Sequence, residues 1–440
     1  MTDREKAITI FNSAVAAVQP AQLIPAHLFI DSDTLHIFDC QFLINDLHDI
    51  YIIGAGKASA AMAKTTEDIL GNLITAGLVV TKYEHAVSLR KIICRQAAHP
   101  VPDQNGIAAT METIELLKPA GENDLVICLL SGGASSLWID LPPGVTLKDL
   151  QITFDLLLSS GASIDEMNTV RKHLSSIKGG QLLQYAPKAQ WFCFIISDVP
   201  CDDVSIIGSG PTARDTTTFA DVQKILARYN FSKQLPSAVI AHIINGNKAT
   251  LKDTPHADDP LLPPVVNKII GNSTIALKAA KNTAKQLGYT VVVANTKMGG
   301  DAATVGRKLV QRCKEYKGNL PACWLLGGET TVKVKGNGKG GRNQQMALSA
   351  FQELSQGQFT SGATGITFLS AGTDGTDGPT DAAGAIADTQ TISSASNMKL
   401  NAAEYLVNND AYHFFEKTNS LLKTGATQTN VMDLVVVLAG

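Results

Sequence analysis

Short apolar blocks recur along the chain, most closing on Gly, Asn or Asp and most leading into sequence of helical character. They are IYIIGAG (50–56), GLVVTK (77–82), DLVICLLSGG (124–133), WFCFIISD (191–198), VNKIIGN (266–272), YTVVVAN (289–295), ACWLLGGE (322–329), ITFLSAGTDG (366–375) and LVVVLA (434–439). Runs that are apolar throughout, rather than alternating, predict strands covered on both faces, and hence an α/β fold with mainly parallel sheets flanked by helices. Ligands of such folds bind beyond the carboxyl ends of the strands, where these small-residue turns fall. At the start, Ile8, Phe11, Val15 and Val18 recur at helical spacing behind charged residues, which predicts a surface helix rather than a secretory leader. No run approaches the roughly 20 apolar residues of a membrane helix, so a soluble, cytoplasmic protein without membrane partners is expected.

At 440 residues the chain has room for two or three domains. The stretch 246–264, with Pro255, Pro260, Pro263 and Pro264, reads as an exposed connection, and a change of composition near Lys317–Pro321 sets the expected boundary between domains 1–319 and 320–440. Lys and Arg number 37 against 40 Asp and Glu, a net charge of −3, so any anion site must be local and nucleic acid is not an expected partner. Seven cysteines with no C-x-x-C pair fit reduced thiols, and the nine histidines never take zinc-ligand spacing.

The turns carry the chemistry. Gly54-Ala55-Gly56-Lys57-Ala58-Ser59 links a strand to a helix and can face an anion with N–H groups and a lysine, although it fits neither a P-loop (Tyr51 stands where Gly is needed) nor a dinucleotide fingerprint (Ser59). Ser131, Gly132, Gly133 and Ser135 form a second such turn, and G-x-S-x-G, the serine hydrolase signature, is absent. Ser163 and Glu166 have capping-box spacing and predict a helix to about Tyr185, with Asn168, Arg171, Ser175 and Lys178 on one face and two cations suited to a carboxylate or phosphate. Asp198 closes a strand and reads equally as base, metal ligand or helix cap; Asn272 reads as ligand contact or helix entry. Lys333, Lys335, Lys339 and Arg342, threaded through glycines, predict a flexible cationic loop with exposed N–H donors, and Asp374, Asp377 and Asp381 lie in a Gly/Pro loop suited to magnesium rather than to an EF-hand. Anion turns, cations and carboxylates together point to phosphoryl transfer.

Taken in order, GAGKAS (54–59), HPVPD (99–103), SGGASSL (131–137), EMNTVRKHLSSIKGG (166–180), SDVPCDD (197–203), GSGPT (208–212), GGETTV (327–332), GKGGRNQ (338–344) and GTDGTDGPTDAAGA (372–385) resemble the glycerate 2-kinase family over nearly the whole chain. The resemblance implies two α/β domains, the smaller C-terminal one of MOFRL type, with the active site in the cleft between them. It implies ATP- and magnesium-dependent phosphorylation of the 2-hydroxyl of D-glycerate, giving 2-phosphoglycerate and ADP. Carried over by motif, Lys57 and Arg342 are phosphate and transition-state contacts and Asp198 lies at the reaction centre. Gly54, Gly56, Ser131, Gly132, Gly133, Ser135, Asn168, Arg171, Lys178, Asn272, Gly328 and Glu329 bind substrate or nucleotide. Asp374 and Asp377 are the magnesium candidates by chemistry. Partners are then small molecules, with a homodimer as the candidate assembly. The rival expectations are an NAD(P)H-dependent hydroxypyruvate reductase, a label many members carry, and a catalytically silent metabolite-binding regulator. The chain departs from the family pattern at Cys201, Ala426, Gln428 and Met432, where Gly, Pro, Gly and Asn are expected.

Overall fold

A computed structural model describes residues 1–231, 234–256, 259, 262–356 and 365–440. Four residues of the expected Pro-rich connection (257, 258, 260 and 261) lie outside the described residues. The chain forms two compact units, Leu23–Ile270 and a second made of Met1–Gln22 with Gly271–Gly440.

The Leu23–Ile270 unit carries a small antiparallel sheet, β1 (Leu28–Asp31), β2 (Thr34–Ile37) and β3 (Cys40–Leu43). Its main sheet holds β4 (Ile50–Ala55), β5 (Ala76–Lys82), β6 (Ile92–Ala97), β7 (Leu125–Ser131), β8 (Gln190–Ile196) and β9 (Val265–Gly271), in the order β6-β5-β4-β7-β8-β9. The pairs β4–β5, β5–β6, β4–β7 and β7–β8 are all parallel. Every residue of β4 and β7 is buried, which is why these strands read as unbroken apolar runs. The chain lays down β4, steps outward to β5 and β6, then returns to the other flank of β4 as β7. The turns after β4 and β7 therefore adjoin at the point where strand order reverses, the usual ligand position of a doubly wound sheet.

The helix expected from Ser163 to Tyr185 begins as predicted, with the Ser163–Glu166 capping box formed, but ends at His173. Asp140 ends it by accepting from the Ser175 hydroxyl and the Ser176 N–H, after which the chain turns through Gly179 and Gly180 into a short 3-10 helix, Gln181–Tyr185. Ser175 and Lys178 thus leave the helical face shared by Asn168 and Arg171, and the apolar positions Val170, Leu174 and Ile177 are all buried.

The second unit has one mixed sheet of β10 (Thr290–Met298), β11 (Ala322–Gly328), β12 (Ile366–Gly372), β13 (Gly384–Ala387), β14 (Leu421–Leu422) and β15 (Asp433–Ala439), ordered β10-β11-β15-β12-β13-β14. Only β10–β11 is parallel. The last strand, β15, inserts between β11 and β12 and runs antiparallel to both. Its LVVVLA run reports burial on both faces and carries no information about direction. The N-terminal helix Asp3–Ala17 packs on β12, β15 and the helix Ser273–Gln286, and Arg4 pairs with Asp388 at 2.7 Å. These contacts, together with β10 pairing to β11, bring Met1–Gln22 and residues 271–319 into this unit, so the division differs from the expected 319/320 boundary. Among the described residues no single helix is long and apolar enough to cross a membrane.

Candidate active site

In the Leu23–Ile270 unit the turns after β4 and β7 are tied together. Lys57 N donates to Gly132 O at 2.9 Å, Ala58 N to the Ser131 hydroxyl at 3.0 Å, and Gly56 N to Val80 O at 3.0 Å. Gly56 sits at φ +134°, and a Cβ there would lie 2.1 Å from Ser131 Oγ, so glycine is required for this approach. Gly54 is buried one residue before the end of β4. The main-chain donors of Gly56, Lys57 and Ala58 are thereby spent inside the protein, which corrects the expectation that this turn cradles an anion with its N–H groups. What it presents is the Lys57 side chain. The second turn is the one with donors to spare: among the described residues the N–H groups of Gly133, Ala134 and Ser135 meet no acceptor, as expected for the first turn of the helix Ala134–Leu137. Gly133 also brings in His99, whose Cδ2 would be 2.9 Å from a Cβ at that position, with Lys57 Cγ at 3.5 Å.

Next to this turn lies a connected polar cluster. The Ser135 and Ser209 hydroxyls are 2.9 Å apart, and Ser209 donates to Asn168 Oδ1 at 3.2 Å. Asn168 is 3% exposed and its Nδ2 has no partner, a buried donor that ordinarily costs about 1–3 kcal/mol unless a ligand satisfies it. Arg171, one helical turn on, stacks on the Phe154 ring at 5.2 Å and meets no carboxylate among the described residues, while burial lowers its pKa. Lys178, the other cation expected to suit a carboxylate, is engaged by main-chain carbonyls. It is 2% exposed and donates to Ser135 O at 3.0 Å and Trp138 O at 2.7 Å, so it braces the turn. Burial pushes its pKa down to about 8, aided by Arg171 and opposed by Asp140. Asp198 lies two residues beyond β8 and is half-buried.

The second unit holds the remaining expected residues. Asn272 caps the helix Ser273–Gln286, accepting from Ile275 N at 3.1 Å, which is the helix-entry reading. Gly328 ends β11, and the neighbouring Glu329 pairs with Arg342 at 2.6 Å. Arg342, the first residue of the helix Arg342–Ser355, also makes a two-pronged contact with the buried Asp433 at 2.5 and 3.0 Å. Burial opposes its charge, but Asp433 and Glu329 prevail and hold its pKa above the ordinary value.

Asp377 accepts from Asn343 N at 3.0 Å and Gln344 N at 2.8 Å, seating both its oxygens on the start of that helix. Burial pushes its pKa up to about 7. Asp374 Oδ1 accepts from Thr376 N at 3.0 Å. Both carboxylates thus accept backbone N–H groups of their own unit, and among the described residues no three His, Cys, Asp or Glu side chains converge as metal ligands. Asp377 in this way caps the start of the helix Arg342–Ser355.

The glycine-lysine loop is also corrected, since its donors are not exposed. Lys335 N and Gly336 N donate to Asn409 Oδ1, Asn337 N to Asn408 Oδ1, Gly338 N to Asn408 O and Lys339 N to Asp410 Oδ1. Sequence reasoning missed Ser209, His99 and Asp433. The first two lie in motifs that were noticed but given no role; an acid at the head of an apolar strand was the available signal for Asp433.

Residues 6–244 match a family described as a domain of unknown function, DUF4147, and residues 322–433 match the MOFRL family. The chain is 36% identical over 447 aligned residues to the glycerate 2-kinase of Pyrococcus horikoshii, covering 100% of this chain and 98% of that protein. It is 41% identical to the D-glycerate 2-kinase of Thermotoga maritima, with 89% and 91% covered, and 39% identical to an Agrobacterium vitis protein provisionally labelled hydroxypyruvate reductase, with 88% and 87% covered. The crystal structure of the Thermotoga maritima glycerate kinase superposes with a TM-score of 0.83 at 38% identity over 99% of both chains. Matched over 88–100% of its length by these relatives, the chain belongs to the glycerate 2-kinase family, with a DUF4147 part followed by a MOFRL part.

Proposed function

We propose that the protein transfers the γ-phosphoryl group of ATP to the 2-hydroxyl of D-glycerate, giving 2-phosphoglycerate and ADP. The observation that carries this reading is the uncompensated cluster in the Leu23–Ile270 unit: a half-buried arginine without an acid, a buried amide donor without an acceptor, and an adjoining turn with unspent N–H groups. A small hydroxy acid supplies what this cluster lacks. Its carboxylate answers Arg171, and its hydroxyls answer Asn168 Nδ2 and the 133–135 turn.

In the transfer, the 2-hydroxyl oxygen forms a bond to the γ-phosphorus, the bond from that phosphorus to the β,γ-bridging oxygen breaks, and ADP departs with that oxygen. The hydroxyl proton goes to Asp198. Lys57 and Arg342 neutralise charge on the transferring group, the main demand of this chemistry. Asp433 orients Arg342, and Lys178 holds the turn in place. Magnesium, in this reading, travels with the nucleotide phosphates rather than residing on Asp374 and Asp377. Reduced cysteines, all seven of them free, suit a cytoplasmic enzyme.

The test is ADP release by purified protein given D-glycerate, ATP and magnesium, beside a well holding hydroxypyruvate with NADH or NADPH. ADP release that depends on D-glycerate is expected. Nicotinamide oxidation without ADP would overturn the reading and withdraw the roles of Lys57, Asp198 and Arg342.

A further inference from the structure

A cavity of about 440 Å³ lies in the Leu23–Ile270 unit, beside the C-terminal end of the helix Ile164–His173. That volume is within the range of small-molecule pockets. Leu141, Pro142, Pro143, Phe219 and Leu251 supply apolar walls, while His173, His242 and Lys252 bring nitrogen groups, and among the described residues no carboxylate lines it. Three acids adjoining these segments in the described residues are already engaged. Asp140 accepts from Ser175 and Ser176, Asp253 accepts from Phe219 N at 2.9 Å and faces His173 Nε2 at 3.0 Å, and Asp215 pairs with Lys172 at 3.1 Å. His242 Nε2 contacts His173 O at 2.9 Å, and the Phe219 ring packs edge-on between the two imidazoles. Lys252 is exposed and has no acidic partner among the described residues.

We infer that this cavity is a second ligand site, taking a small organic monoanion with an aromatic or branched apolar body, and that its occupancy adjusts the polar cluster of Asn168, Arg171 and Ser135. Glycerate is the wrong ligand for it, because a chain that carries oxygen on every carbon gains nothing from walls of leucine, proline and phenylalanine. The link runs through short covalent paths. Ser175 and Ser176 line the cavity, and two residues on, Lys178 grips Ser135 O and Trp138 O. Elsewhere in the lining, Leu141 follows Asp140, which holds Ser175 and Ser176, and Trp138 lies two residues before that. A ligand wedged between 141–143 and 173–176 therefore bears on both ends of the brace that fixes the 133–135 turn. It can shift the turn only if it binds one arrangement better than another.

The test uses benzoate as probe and benzamide as its neutral analogue, followed by saturation-transfer NMR on the full-length protein. Saturable benzoate binding is expected, about tenfold weaker for benzamide and for Lys252→Glu, which places an acid at an exposed position and should melt like the wild type. Arg171→Ala should bind benzoate as the wild type does. In the ADP-release assay, benzoate should change the KM for D-glycerate in wild type and have much less effect in Lys252→Glu. Absence of saturable binding, equal binding by Lys252→Glu, or loss of binding in Arg171→Ala would overturn the site, the last by locating benzoate in the proposed substrate cluster. Binding with an unchanged KM would overturn the link. The NMR readout does not depend on kinase activity, so it stands apart from any failure of the functional reading.

Discussion

Arg171 and Arg342 are both largely withdrawn from water, yet their surroundings are opposite. Arg171 has an aromatic ring beneath it and no carboxylate among the described residues, and its neighbour Asn168 has an idle donor. Arg342 has two carboxylates, one of them buried and two-pronged. A half-buried cation without an acidic partner is costly, and in the proposed reading one kept next to an unsatisfied amide receives an anion that comes and goes. A cation gripped by a buried aspartate is arranged for aim: its geometry is fixed before any ligand arrives. On the proposed function, the first region binds and the second holds still.

The sharpest way to break this contrast is Arg342→Ala, which should lower kcat about 100–1000-fold with little change in the KM for D-glycerate, read by steady-state ADP release. Arg171→Ala should do the converse, raising the KM for D-glycerate about 10–100-fold while kcat falls less. An equal loss in both constants for both variants would erase the distinction. Asp433→Asn keeps the shape but weakens the grip, so kcat should fall about tenfold with the KM for D-glycerate retained. If Asp433→Asn left kcat at the wild-type value, aim would not be its role.

The two regions should also titrate in opposite senses. Lys178, with its pKa lowered to about 8, binds fewer protons folded than unfolded between about pH 8 and its ordinary value near 10.5, so its contribution makes stability rise with pH across that window. Asp377, with its pKa raised to about 7 from 3.8, binds more protons folded than unfolded, so its contribution is fully present below about pH 4 and is lost as pH rises through 7. Denaturant unfolding at a series of pH values, with Lys178→Met and Asp377→Asn, should flatten the corresponding slope in each case. An unchanged slope in either variant would assign that slope to another group.

The smallest effect lies in the tail that leads to Asp433. Gln428 and Met432 adopt φ of +60° and +72°, the left-handed region, at positions where the family resemblance leads to the expectation of Gly and Asn. Gln428 also buries an Oε1 without a partner. Gln428→Gly should therefore stabilise the protein by about 1 kcal/mol, seen as a modest rise in melting temperature, and a fall would contradict the strain.

Much of the first unit was legible because its physics is local. The apolar runs of β4 and β7, the small-residue turns after them and the Ser163–Glu166 cap each follow from adjacent residues. Arg171 and Asn168 were legible for the same reason, being one helical turn apart. What escaped depends on long-range partners. The helix that should have run to Tyr185 stops at His173 because Asp140, more than 30 positions away, captures Ser175 and Ser176. The loop donors at 335–339 are satisfied by residues 408–410, and Asp377 is claimed by a helix that begins at Arg342. The direction of β15 was hidden as well, since burial on both faces writes the same apolar run for either orientation.

The most direct test of the central claim is ³¹P NMR of the product formed from D-glycerate, ATP and magnesium. The account predicts a single phosphomonoester coupled to one proton at carbon 2, that of 2-phosphoglycerate, growing in step with ADP and nearly absent for Lys57→Ala. A product coupled to the two protons of carbon 3, or ADP formed without any phosphoglycerate, would contradict it.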